Sequence, residues 1–472
     1  MLLAQTWGGA DRLIEQQIST SADGVARTVQ QRSFGWQDDR LTTITDTAGF
    51  SRSLTLDTSG RITAVTGANW HEAYAYDQAG NLTQAGWPTP AAPSQNDTLG
   101  ERKYAGALLE RAGRTSYEYD GQGRLVRQTR RLLSGGTRVW EYSWDADDRL
   151  LSLTTPSGEQ WRYLYDPFGR RVAKDRLSAD GTNVEEQTVF VWDDTLLVEQ
   201  VHTNLRVGTV QTTTWDWEPE EHRALAQRVS LRDVSQREID RRFYMIVTDL
   251  AGTPTELIDE RAAIAWRARS TLWGREASTS DSPVDCPLRF PGQYLDRESG
   301  LHYNLYRYYD PHTARYLSPD PLGLEPAADP YAYVGNPLTE IDPLGLAKKD
   351  KCEIIIRYGS EDEAKQAVAA NGGKGGLVPK FKPHQNQPKW IAKANADLSA
   401  GNLGQPKHYT HKMEFRCKPG VLDWLKQYET KPTNEPGRFE VPASQIDNFN
   451  SFVEQTTVSK IDRGNAAKRR RR

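Results

Sequence analysis

Short runs of alternating aromatic and polar residues recur along the first three quarters of the chain, each closed by an aspartate and then a glycine or arginine. Tyr117-Glu118-Tyr119-Asp120-Gly121-Gln122-Gly123-Arg124-Leu125 shows the pattern most clearly. Tyr74 to Leu82, Tyr142 to Leu150 and Tyr163 to Arg171 repeat it, and Phe34 to Leu41 and Leu56 to Ile62 are partial copies. Each run predicts a strand, a tight turn and a returning strand. Alternating aromatics suit a pleated surface, aspartate opens the turn, and glycine takes the positive φ the turn demands. Hairpins repeating at roughly 20–45 residues cannot each bury a face alone, so they are expected to join into one long curled sheet.

These units resemble the YD repeats of Rhs and teneurin-like proteins, whose strands spiral into a hollow shell. Tyr244 to Gly274, with Thr248-Asp249-Leu250-Ala251-Gly252-Thr253-Pro254, is similar to the segment preceding the Rhs core. Leu288 to Leu346 resembles the Rhs-associated core, above all at Gly300-Leu301-His302-Tyr303-Asn304-Leu305-Tyr306-Arg307-Tyr308-Tyr309-Asp310-Pro311 and at Arg315-Tyr316-Leu317-Ser318-Pro319-Asp320-Pro321. The resemblance covers most of residues 30–346. It implies a mainly β shell over 1–287, a core over 288–346 and a small α+β toxin domain over 347–472. Family shells are longer than this chain, so the expected cage is incomplete.

Charge changes the picture at Leu346. The net formal charge is about −13 over residues 1–346 and about +10 over 347–472, so the overall −3 hides two opposite parts. The three cysteines, Cys286, Cys352 and Cys417, are too few and scattered for a disulfide framework or a Cys-based zinc site. No apolar run approaches the roughly 18 residues that span a bilayer, and Met1-Leu2-Leu3 lacks the basic start of a signal peptide. These features fit assembly in a reducing cytoplasm, and the Rhs resemblance implies a bacterial one, with export by a carrier or specialised secretion machine of the type VI kind. Action in the cytoplasm of a target cell follows from that reading.

Asp320-Pro321-Leu322-Gly323-Leu324 and Asp342-Pro343-Leu344-Gly345-Leu346 are identical pentapeptides. Asp-Pro-x-Gly is a sound β-turn sequence with no chemistry of its own. The Rhs resemblance implies more: Asp320 and Asp342 act together, and the bond Leu346–Ala347 is cut once. The logic is that of aspartic proteases, where two close carboxylates keep one proton between them. One activates water and the other protonates the leaving group.

Downstream, Glu353-Ile354-Ile355-Ile356-Arg357-Tyr358 predicts a buried strand. Ser360 to Val368 predicts a helix with Ser360 as N-cap, stopped at Asn371-Gly372-Gly373. A second helix is expected over 421–428 and a short strand at Phe439-Glu440-Val441-Pro442. A basic tail begins near residue 463. Position after an Rhs core implies a toxin, and the order Arg357, helix, Gly-rich turn, Trp390, Glu440 resembles a bacterial ADP-ribosyltransferase. That resemblance implies NAD as substrate, held by Arg357, Tyr358 and Trp390, with Glu440 driving transfer to a protein or RNA and no metal required. The Ser/Thr element of that family has only Ser399 and Tyr409-Thr410 as weak counterparts. The alternative is a nuclease drawing on His384, His408, His411 and the carboxylates of Glu361-Asp362-Glu363, with the basic surface gripping phosphate. A third reading is a non-enzymatic basic domain that binds a partner. Each reading calls for a cognate immunity protein, to which the positive charge gives an electrostatic handle.

Overall fold

The computed structural model divides the chain into two compact units, Met1–Lys348 and Lys349–Arg472. In the first it describes residues 2–346 apart from 9–11, 23–24, 39, 48, 89–97, 220, 234, 236, 277–281, 283 and 325–326. In the second it describes 353–359, 365, 367, 389–393, 411–417, 425, 438–442 and 445–460.

Among the described residues, the first unit contains a 23-stranded sheet running from Leu2–Trp7 to Ile264–Arg267. Strands pair antiparallel with their neighbours in sequence, as in Tyr119↔Leu125 and Tyr165↔Arg171 across two of the turns. The expected turn chemistry is present in repeated form. Asp120 Oδ1 accepts the amides of Gln122 and Arg124, while its Oδ2 accepts Arg124 Nε at 2.8 Å. Asp145 and Asp166 make the same set with Arg149 and Arg170. These contacts hold the carboxyls of Asp120, Asp145 and Asp166 below their usual range against the opposing effect of burial. Gly123 takes φ +81° in its turn, and in the copy without glycine Asp148 takes the same place at φ +60°.

The ring just before each turn has a second task. Tyr76 Oη, Tyr119 Oη, Trp144 Nε1, Tyr165 Oη and Trp192 Nε1 donate to the main-chain oxygens of Ile62, Leu109, Leu125, Leu150 and Arg171, at 2.8–3.1 Å. Only an aromatic with a polar tip can cover the core and reach that carbonyl, which explains Tyr or Trp rather than Phe here. Arginines then tie turn to turn: Arg61 donates to Asp77 O, Arg124 to Asp145 O and Arg170 to Asp194 O.

The sheet curls until distant strands meet. Arg32 bonds Asp46 at 2.8 Å and Glu256 at 2.5 Å, Gln30 reaches Glu256 at 3.1 Å, and Ile18 packs with Val247 and Ile258. The segment after the last shell strand fills the interior. It carries a four-stranded antiparallel sheet, Tyr294–Asp296, Leu301–Asn304, Arg307–Asp310 and Arg315–Tyr316, buried throughout. Tyr303, Tyr308 and Leu317 pack on the strands around Leu109 to Tyr163. Cys286, Leu288 and Tyr294 pack on those around Phe190 to Trp266. Phe290, Tyr309 and Tyr316 pack on those around Leu13 to Trp87. At its centre Arg171 is clasped by Asp296 at 2.6 and 2.9 Å, with Lys174 bridging Asp296 and Glu298 at 3.0 and 2.9 Å.

The second unit has a five-stranded antiparallel sheet in the order Arg438–Val441, Lys389–Lys393, Glu353–Gly359, His411–Cys417, Val453–Lys460, with a helix Ile446–Phe452. Met413, Phe415, Cys417, Val441 and Phe449 form its core. The strands expected near Glu353 and Phe439 are found. The three others were not anticipated. Lys365, Ala367 and Leu425 are helical, and the rest of both expected helices, the Gly372-Gly373 turn and the basic tail lie outside the described residues.

Candidate active site at the paired aspartates

The hairpin Leu301–Asn304/Arg307–Asp310 turns at Leu305-Tyr306, and the second pentapeptide lies along that turn. Asn304 Nδ2 donates to Asp342 O at 2.9 Å, the Tyr306 amide to Leu344 O at 3.2 Å, and Arg307 Nε to Gly345 O. Gly345 must be glycine: its φ is +70°, and a Cβ would sit 2.5 Å from Asn304 O. A Cβ at Gly292 would overlap the carbonyl of Pro343, so that glycine lets the segment approach.

The fold brings Asp320 and Asp342 together around Arg307. Its Nη2 lies 2.7 Å from Asp320 Oδ2 and 3.4 Å from Asp342 Oδ2. Its Cζ stands 3.7 Å over the ring of Tyr316, whose hydroxyl donates to Asp342 Oδ2 at 2.7 Å. Asp342 Oδ1 accepts the amides of Gly345 at 2.9 Å and Leu346 at 3.1 Å. All these groups are shielded: Arg307 and Asp342 are each 2 % exposed and Asp320 8 %. Burial pushes the Asp320 carboxyl up, and nearby Asp342 adds to that. Arg307 and the Leu322 amide pull the other way without cancelling it.

Identical pentapeptides thus have opposite surroundings. Both glycines take φ +70°. The first copy is open to solvent, with Leu322 50 % and Leu324 67 % exposed. In the second copy Pro343 and Gly345 are buried. The aspartate of each copy faces Arg307, but the first copy's backbone is held at Asp320, whose amide donates to Pro330 O, while the second is held at Asp342, Leu344 and Gly345. Ala347, on the far side of the expected scissile bond, lies outside the described residues.

Arg307, Tyr316 and Asn304 were not singled out in the sequence. The available signal was a lone arginine in the aromatic run Leu305-Tyr306-Arg307-Tyr308-Tyr309. A guanidinium there is buried, and burial requires carboxylates.

In the second unit the register pairs Trp390 with Glu440 directly. Ile356 pairs with Ala392. By strand alternation Tyr358, Trp390 and Glu440 therefore occupy positions on one sheet face. Arg357 pairs with Met413 and occupies the other face. His411 opens the strand His411–Cys417. His384, His408, Ser399, Tyr409-Thr410 and Glu361-Asp362-Glu363 lie outside the described residues. No cluster of metal-ligating side chains occurs among the described residues.

A curled hairpin sheet closed by an internal core segment defines a YD-repeat shell. Residues 144–182 match the RHS Repeat model and residues 243–278 the RHS protein model, and relatives named RhsB and RhsA match over more than half of the chain. It is 36 % identical over 326 residues to the probable deoxyribonuclease RhsB of Dickeya dadantii (strain 3937), covering 65 % of this chain and 21 % of the relative. It is 31 % identical over 288 residues to the double-stranded DNA deaminase toxin A of Burkholderia cenocepacia (strain H111), covering 58 % and 19 %. It is 36 % identical over 269 residues to the toxin protein Tse5 of Pseudomonas aeruginosa, covering 52 % and 20 %. The chain spans about a fifth of the length of these relatives. The crystal structure of TcdB2-TccC3-Cdc42 aligns with a TM-score of 0.43 at 16 % identity, over 73 % of this chain and 20 % of that one.

Proposed function

We propose that the chain is the releasing portion of an antibacterial Rhs toxin that cuts itself between Leu346 and Ala347. Residues 347–472 then act as an enzyme on nucleic acid in a competing cell. The observation behind the release step is the convergence of Asp320 and Asp342 on one nitrogen of Arg307, with Asp342 also holding the amides of Gly345 and Leu346. Asp342 takes a proton from water as its oxygen attacks the Leu346 carbonyl carbon. Asp320, whose proton is retained to higher pH by burial, protonates the departing Ala347 nitrogen as the C–N bond breaks. Arg307 keeps both carboxylates in place and neutralises the charge they share. Cleavage therefore slows as pH rises through the elevated Asp320 pKa, because the acid form is lost. In the test, the parent chain gives two fragments, the smaller starting at Ala347, and Asp342→Asn stays whole on a denaturing gel. Two fragments from Asp342→Asn sink the release step.

Nucleic acid is favoured as the target by two relatives named for DNA chemistry and by the net charge of about +10 on residues 347–472, which suits a phosphate backbone. The released domain, incubated with DNA and RNA without NAD, should shorten a strand or convert its bases. ADP-ribosyl transfer from NAD is the second reading, favoured by the direct pairing of Trp390 with Glu440. It requires Arg357 to serve from the opposite face. Labelled NAD that marks a protein or RNA band, with loss of labelling in Glu440→Gln, would select it. A secretion machine carries the chain out, and a cognate immunity protein shields the producer.

A further inference from the structure

Away from the paired aspartates, the last shell strand, Ile264–Arg267, and the segment after it border a cavity of about 220 Å³. Four arginines line it, Arg267, Arg269, Arg289 and Arg297, against two carboxylates, Glu276 and Asp285. It shares no lining residue with the Arg307 site. Two of the guanidiniums are held close together: Arg267 and Arg269 stand 5.3 and 4.8 Å over the same Phe50 ring. Like charges so near one another favour a counter-charge, and among the described residues the carboxylate paired with Arg267 is shared. Glu256 lies 3.3 Å from Arg267 Nε and 2.5 Å from Arg32.

The remaining arginines are partly spoken for and partly not. Arg289 binds Glu276 and the carbonyls of Cys286 and Leu288, and Arg297 binds Asp285. Arg289 is only 7 % exposed, yet its Nε has no hydrogen-bond acceptor, and neither has the buried Nη2 of Arg267. Buried donors in native proteins are almost always satisfied. Two unpaired guanidinium donors on one cavity, whose described lining residues include four arginines and two acids, leave hydrogen-bonding capacity that an anion would use.

We propose that this cavity binds a small phosphate-bearing molecule carrying at least two negative charges. The planar forks of Arg267 and Arg269, ordered in advance by Phe50, match phosphate oxygens. The volume lies below the roughly 300–1,000 Å³ of sites for drug-sized ligands, which limits the occupant to little more than its phosphate groups. The site sits on the shell side and does not depend on the self-cleavage reading.

Inorganic pyrophosphate is the probe, titrated calorimetrically into the full chain. Saturable one-to-one binding with a Kd below about 1 mM is expected, weakened at least about tenfold in Arg267→Gln and in Arg269→Gln. Arg138→Gln, remote from the cavity, should bind like the parent. Melting curves without ligand check the folding of each variant. If Arg267→Gln loses stability through its Glu256 contact, Arg269→Gln, on an exposed side chain, decides the matter. No saturable binding to the parent, or unchanged binding in Arg269→Gln, overturns the proposal.

Discussion

Replacing Asp296 with Asn tests whether the core segment is anchored by charge as well as by packing. Asp296 is fully buried and accepts Arg171 at 2.6 and 2.9 Å and Lys174 at 3.0 Å. Burial pushes its carboxyl up, but Arg171 and Lys174 outweigh that and hold it below the usual value. With Glu298 the four groups sum to zero, and Asn leaves one uncompensated positive charge in the interior. At about 4 Å and an effective dielectric near 20, each lost attraction is worth about 4 kcal/mol. Tyr308 Oη at 3.1 Å and the rings around Arg171, Tyr303 at 4.3 Å and Phe190 at 4.8 Å, offset part of the loss. The expected net cost is about 3–5 kcal/mol, in line with breaking a buried pair from one side. For a unit of this size that is a fall of about 4–7 °C in the melting midpoint, followed by tryptophan fluorescence in an Asp342→Asn background. Arg171→Met combined with Asp296→Asn restores neutrality and keeps the Lys174–Glu298 pair, so the double variant should be at least about 2 kcal/mol more stable than additivity gives. A fall of under about 2 °C for Asp296→Asn, or strict additivity in the cycle, refutes the reasoning.

Two further outcomes follow from packing. Gly292→Ala, at φ +84° and against the Pro343 carbonyl, should displace the Asp342 segment and slow fragment release at least about tenfold while the circular dichroism of the sheet persists; an unchanged rate on a gel time course contradicts the tight fit. Cys286 is fully buried, and burial pushes its thiol up to about 12, so iodoacetamide at pH 8 should leave it unmodified in the folded chain and label it in urea, as read by mass spectrometry.

The shell was legible because its information is local. Asp120 satisfies amides two and four residues away, so the hairpin is written within nine residues. The internal core was legible as a motif but not as an arrangement, since Arg307 meets Asp342 only after 34 intervening residues have folded around the aromatic core. The downstream strand His411-Lys412-Met413-Glu414-Phe415-Arg416-Cys417 alternates, and Met413, Phe415 and Cys417 are its buried half. The polar His411 at the strand's first position interrupts that period at its start. Lys389–Lys393 is five residues long with one aromatic, too short for alternation to distinguish a strand from a binding element.

Pairing between sequence neighbours has a consequence for synthesis. When each strand of the sheet leaves the ribosome, its partner has already emerged, so the meander can zip up in order with little loop-closure cost. The core segment behaves differently: Leu317 O accepts the Leu125 amide, Arg315 reaches Asn81, and Tyr308 meets Tyr165, so it needs walls made long before it. Arg307 can gather its two aspartates only once that wall stands. The order of translation thus acts as a clock, holding the carboxylate pair apart until the strands that wall it in have formed.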